Sequence, residues 1–167
     1  MDRFRLFFSW QADRPGELCR RFIDIALRAA AEAVTKAIGV TVEVGSDTQG
    51  ESGTPPLTDT ILKKMRKCDA FVADMTFVAE TSTGELLPNP NIMREYGYAL
   101  SEKGTRRILV VMNEAFGPPE KLPFYLGHLR HPLTYNVPSR TGDGARRSLR
   151  TASVSIAPTA VIDCLRC

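Results

Sequence analysis

The feature that most constrains this chain is an alternation. Over residues 4–137, short apolar runs take turns with longer stretches of helical spacing. "FRLFFSW" (4–10) suits a strand buried on both faces. After the turn-like "QADRPG", apolar residues at Leu18, Phe22, Ile25, Ala26, Ala29, Ala33 and Ala37 predict a helix that Gly39 closes. "VTVEV" (40–44) predicts a second strand, followed by the polar, Gly-rich loop "GSDTQGESGT" (45–54). Pro55 and Pro56 open a helix with the stripe Leu57, Ile61, Met65 and Cys68. "AFVADMT" (70–76) reads as a third strand. "FVAETSTGELLPNP" (77–90) reads as a long connection, of the kind that is usually functional or mobile. A helix containing Glu95 follows, then "RILVVMN" (107–113) as a fourth strand and "HPLTYNV" (131–137) as a fifth. Such alternation implies an α/β domain, a parallel sheet with helices on both faces.

In sheets of this type, ligands sit outside the carboxyl ends of the strands. The predicted strand ends carry Ser9 and Trp10, Asp47 just past the second strand, Asp74, Asn113, Tyr135 and Asn136. That is a polar rim with one large aromatic. Residues 1–137 read as one domain. The segment 138–167 is rich in Ser, Thr, Arg and Ala, and has no sustained helical or strand period. A sheet of this type normally ends with a helix over its last strand, and none is evident there. Two readings of the tail stay open: a disordered terminus, or a non-native one from a shifted reading frame.

Composition removes several function classes. A net charge of +3 over 167 residues, without a dense basic run, does not call for a nucleic-acid partner. No segment approaches the roughly 18 apolar residues of a membrane span. The start, "MDRFRLFFSW", lacks a small-residue cleavage site and reads as a strand rather than a signal peptide. Cys19, Cys68, Cys164 and Cys167 show no disulfide-framework spacing, and are expected to be free thiols in a reducing cytoplasm.

The stretch "PNPNIMREYGYAL" (88–100) carries the sharpest signal. With Asn89 as cap and Pro90 in the first helical position, Ile92, Glu95 and Ala99 fall on one face. A carboxylate on that face, fully buried, would demand a partner or a proton, so a partly buried cleft position fits better. One reading pairs Glu95 with Arg94 or Arg66 at the surface. The other makes it an active-site carboxylate near the ends of the first and third strands. Asp74, at the end of an otherwise apolar strand, is expected on the same rim, its alternative being a cap for the following loop.

Common chemistries are poorly supported. "SWQADRPG" has neither GxGxxG nor GxxxxGK[ST], which argues against ordinary dinucleotide-binding and P-loop folds. Ser9 lacks a GxSxG elbow, and the histidines, His128 and His131, stand in a late Pro-rich segment. No His/Cys/carboxylate cluster has metal-ligand spacing, so no metal is expected. Carboxylate chemistry on a glycosidic bond remains, where an acid stabilises or attacks an oxocarbenium-like centre and an aromatic such as Trp10 stacks on a ring.

"FFSWQAD", "SDTQGESGTPPLTDTI", "CDAFVADMT" and "PNPNIMREYGYAL" together resemble the bacterial TIR-like (Toll/interleukin-1 receptor-like) proteins, predicted nucleotide-binding domains of immune and antiphage systems. The resemblance spans about residues 4–136. The helix segment is also similar to that of nucleoside 2-deoxyribosyltransferases. The resemblance implies a flavodoxin-like three-layer sandwich with a five-stranded parallel sheet, its final helix not identified. It implies NAD+ glycohydrolase activity, with NAD+ as substrate rather than cofactor. Glu95 matches the family's catalytic glutamate. Phe8, Ser9 and Trp10 match the segment lining the nucleotide pocket, and Asp74 a strand-end acid that contacts the sugar in the transferases. Asn91 is a polar neighbour. Asp47 and the loop through Thr54 match a loop that packs against a neighbouring copy, implying self-association. Many TIR domains are scaffolds, so a non-enzymatic nucleotide-sensing module stands beside the enzyme reading.

Overall fold

The computed structural model describes residues 3–46, 57–123, 126 and 132–138. Asp47, most of the 45–54 loop, both histidines and the segment from 139 onward lie outside them. The elements are β1 (Arg3–Ser9), α1 (Arg20–Ile38), β2 (Thr41–Ser46), α2 (Leu57–Lys67), β3 (Ala70–Asp74), β4 (Phe77–Glu80), β5 (Leu86–Pro88), α3 (Pro90–Lys103), β6 (Ile108–Asn113) and β7 (Leu133–Tyr135). Five strands form a sheet in the order β2-β1-β3-β6-β7, and every pairing in it is parallel. Counting its strands alone, this is the 2-1-3-4-5 order of flavodoxin-like folds.

Because side chains alternate along a strand, β1 feeds two cores. Phe4, Leu6 and Phe8 pack beneath α1, with Val72 and Val111 from the neighbouring strands. Phe7 faces the other way, joining Phe71 and Ala73 under Met65 of α2 and Ile92, Tyr96 and Ala99 of α3. The central strand β3 is buried at every position, as a parallel strand covered on both faces must be. Burying each large apolar side chain contributes roughly 1.5–3 kcal/mol.

Two expectations change. The buried stripe of α1 is Phe22, Ile23, Ala26, Leu27, Ala30, Ala31 and Val34, while Ile25 is 53% exposed and Ala29, Ala33 and Ala37 face solvent. So many alanines make the apolar period ambiguous, and the bulky Leu27 and Val34 decide which face turns inward. Gly39 does close the helix, at a φ of 74° that favours glycine, its N–H bonded to the carbonyl of Thr35. The second change concerns residues 77–90, which are no open loop. Here β4 and β5 form an antiparallel hairpin whose turn is tied by Thr81 and Glu85. Gly117 lets the hairpin pack closely, since a Cβ there would come within 2.5 Å of Leu86 and 2.8 Å of Phe77.

Candidate active site

The chain runs from β1 outward to β2 and returns on the other side of β1 as β3, so the strand order switches between β1 and β3. A crevice is expected at the carboxyl ends of these strands. A cleft of about 630 Å³ lies at the carboxyl end of β1, between the β1–α1 loop and the start of α3. Its size is in the range of small-molecule sites. Phe8, Ser9, Trp10, Asn91 and Glu95, all picked out from the sequence, line it together.

The local causes are readable. Asn89 has extended backbone and caps α3, its side-chain oxygen accepting from the N–H groups of Asn91 and Ile92 at 2.8 and 3.2 Å. Pro90 supplies the preset first turn. Ile92 and Ala99 anchor the helix in the core, which brings Glu95 on the same face to the cleft. There the Ser9 hydroxyl donates to Glu95 Oε2 at 2.6 Å. Ser9 shares the face of β1 that carries Phe7, which is why it meets α3 and not α1.

Glu95 is half-buried, and burial raises its carboxyl pKa above the ordinary value; the Ser9 hydroxyl and the nearby Arg94 charge oppose the rise. Of the two placements, surface or cleft, Glu95 lies in the cleft. Its hydrogen-bond partner is Ser9, and Arg66 lies 5.9 Å over the ring of Tyr98 instead.

Trp10 has company. The Arg20 guanidinium sits 3.5 Å from its ring centroid, covering one face. Arg20 also lines a second cavity of about 410 Å³ on the α1 side, with Phe8 as the shared wall. A ring can stack on that face of Trp10 only if the guanidinium moves.

Asp74 stands apart from this group. It is fully buried, and it does not line the cleft. Its carboxylate accepts from the Thr76 N–H at 3.1 Å and from the Gln11 side-chain amide at 3.4 Å. Burial pushes its pKa up to about 6, against the lowering effect of hydrogen bonds from the Thr76 hydroxyl, the Thr76 N–H and the Gln11 amide. Instead of crowning the rim, this acid supports it from below. Asp47 lies outside the described residues.

Sequence reasoning overlooked Gln11, Asp13 and Asn89 as cleft residues. Gln11 is 2% exposed, an unusual depth for a glutamine two residues beyond the strand end. Its place in "SWQ" was the available signal, and its partner, 63 residues away, was not foreseeable. Among the described residues, no group of three or more His, Cys, Asp or Glu side chains could hold a metal ion. No helix among them is long and apolar enough to cross a membrane. Cys19 and Cys68 are free and buried.

No protein-family model matches the chain, and no curated protein matches it. The solved structures similar to it at a distance include three of different kinds. One is a 2-desoxiribosyltransferase from Leishmania mexicana, 17% identical, TM-score 0.38, matched over 66% of this chain and 65% of its own. Another is rubredoxin oxygen:oxidoreductase from Desulfovibrio gigas, 13% identical, TM-score 0.41, over 98% of this chain and 37% of its own. The third is a short-chain flavodoxin associated with a non-canonical PDU bacterial microcompartment, 11% identical, TM-score 0.42, over 96% and 99%. The chain thus spans less than two thirds of the first two. At these scores the likenesses carry no argument about activity, and the α/β fold stands on the strand order itself.

Proposed function

We propose that the cleft cleaves an N-glycosidic bond, with Glu95 as the catalytic carboxylate and NAD+ as the substrate. The observation that carries this reading is the Ser9–Glu95 pair, a carboxylate oriented by a hydroxyl inside a cleft at the β1 end. The Ser9 hydroxyl, as donor, favours the charged form of Glu95 and fixes one of its oxygens. A carboxylate so held can stabilise positive charge developing at the ribose C1′, or attack it.

The leaving group decides between substrates. When the C1′–N bond of NAD+ breaks, its electron pair neutralises the pyridinium nitrogen, and nicotinamide departs without needing a proton. Water supplies the hydroxyl at C1′ and releases one proton, giving ADP-ribose, unless a hydroxyl of the substrate itself closes a ring. A nucleobase departing from a nucleoside needs protonation, hence a general acid beside the carboxylate. The other acid lining the cleft, Asp13, is engaged 2.5 Å from the Asn89 side-chain amide. With Asp13 held at the α3 cap, Glu95 is left as the carboxylate for the reacting bond, and that suits the cationic leaving group better.

Together with the sequence resemblance, this reading favours a bacterial immune or signalling role and self-association through the 45–54 loop. Chromatography of the products from NAD+ and, separately, from a deoxynucleoside tests the reading. Nicotinamide with ADP-ribose or its cyclised form is expected from the first, and no free base from the second. Base release with NAD+ intact would make the protein a nucleoside N-glycosidase. Nucleotide binding with no product, at any protein concentration, would make it a sensing module.

A further inference from the structure

In the loop Trp10–Arg14, the residues Trp10–Asp13 form one wall of the cleft, yet two of the loop's five residues are exposed and it contains no regular structure. What holds such a wall in place is a chain of polar contacts running under it. Gln11 is the hub. Its Oε1 accepts from the backbone N–H of Arg14 at 2.8 Å, which closes the loop on itself. That bond fixes which way the amide points, so Nε2 is aimed at Asp74 Oδ2, at 3.4 Å. The other Asp74 oxygen takes the Thr76 N–H, one step before β4. From the same loop, the Arg14 side chain donates to the carbonyl of Phe77 at 2.7 Å and lies 4.4 Å over the ring of Phe116. Asp13 meets the Asn89 cap of α3. The wall is thereby pinned to the end of β3, to the hairpin and to the helix that carries Glu95.

We infer that Gln11 and Asp74 are positioning residues for the cleft: Asp74, never touching substrate, holds the Gln11 amide, and Gln11 holds the loop that presents Trp10 and leads on from Ser9. Asp74 has no route to a ligand, and Gln11, though it borders the cleft, has its side-chain amide engaged on both ends within the protein. Asp74 is 0% exposed, and both of its oxygens are already used. The role explains why a carboxylate sits in an apolar core strand, a costly place unless its bonds do something a leucine cannot. It also accounts for the spacing in "SWQ", where the serine reaches α3 and the glutamine, two residues on, reaches β3. The word positioning rests on the proposed function, but the contacts can be tested without any turnover.

The test uses the protein's single tryptophan, Trp10, as the reporter. Asp74→Asn keeps the volume. With its oxygen retained on the Thr76 N–H, its new NH2 group faces the NH2 of Gln11, donor against donor. Turning the Gln11 amide over to relieve this removes the acceptor of the Arg14 N–H. Gln11→Leu removes both bonds at once. In each variant, acrylamide quenching of Trp10 should rise by about twofold or more, as the loop opens locally, with the far-ultraviolet circular dichroism unchanged. Quenching equal to wild type in both folded variants would overturn the inference. A measurement on the wild type alone covers failure to fold: the Arg14 amide should exchange with solvent far more slowly than the amides of exposed Ala12 and Asp13. Equal exchange would also overturn it. Absence of NAD+ cleavage would end the proposed function and leave these readouts untouched.

Discussion

Glu95 and Asp74 are two acids at the same end of the sheet, and the contrast between them is instructive. Burial pushes both carboxyl groups upward, so a raised pKa does not tell chemistry from architecture. Their surroundings do. Asp74 spends both oxygens on the protein, on Thr76 and Gln11, and faces no open space. Glu95 takes one hydroxyl on one oxygen and opens onto a cleft. The first acid is consumed by the fold, and the second has capacity left for a ligand. A carboxylate's role is therefore better read from which lone pairs are already committed than from how far its titration is displaced.

That contrast can be broken at several points. The largest effect belongs to Glu95→Gln, which should lower turnover on the order of 10²–10³-fold or more with little change in substrate binding. Calorimetric binding beside initial rates separates the two, and a loss confined to binding would return Glu95 to a merely structural role.

Next comes the pH dependence of stability. The folded state holds the Asp74 proton more tightly than the unfolded chain, its pKa rising from 3.8 to about 6. The stabilisation is fully present below about pH 4 and is lost as pH rises through about 6, amounting to about 3 kcal/mol at most. Urea unfolding across this window should show the fall in the wild type and a flatter profile in Asp74→Asn. Parallel profiles would mean that Asp74 is not the buried acid described here.

Ser9→Ala should act on the other acid. Without the hydroxyl that opposes the burial effect, the Glu95 pKa climbs further, so the acid limb of the pH–rate profile moves to higher pH. Activity near neutrality should fall about tenfold or less. An unmoved limb would show that Ser9 does not set the charge of Glu95. The smallest change is expected from Asn89→Ala, which removes the α3 cap at a cost of about 1 kcal/mol in thermal unfolding.

Much of this architecture was legible in the residues. β1, β3 and β6 announce themselves as apolar runs, and "NPNI" spells a capped helix start that the structure reproduces at Asn89 and Pro90. The face of α3 followed from the same spacing, and it carried Glu95 to the cleft. Three features were hidden for physical reasons. The inward face of α1 could not be read where alanines fill several faces at once. The hairpin of residues 77–88 has strands of four and three residues, too short for a period to show. Asp74 looked like a rim residue because the partners that make its burial tolerable come from Gln11, far back in the chain, and from the backbone and side chain of Thr76. Local pattern shows where a side chain points. It does not show what waits there.

The central claim is that the half-buried glutamate of the cleft, and not the buried aspartate beneath it, does chemistry. The most direct test is nicotinamide release from NAD+ by the wild type and by Glu95→Gln, side by side over a range of protein concentrations. Release by the wild type should disappear with the substitution while NAD+ still binds. Undiminished release by Glu95→Gln would contradict it.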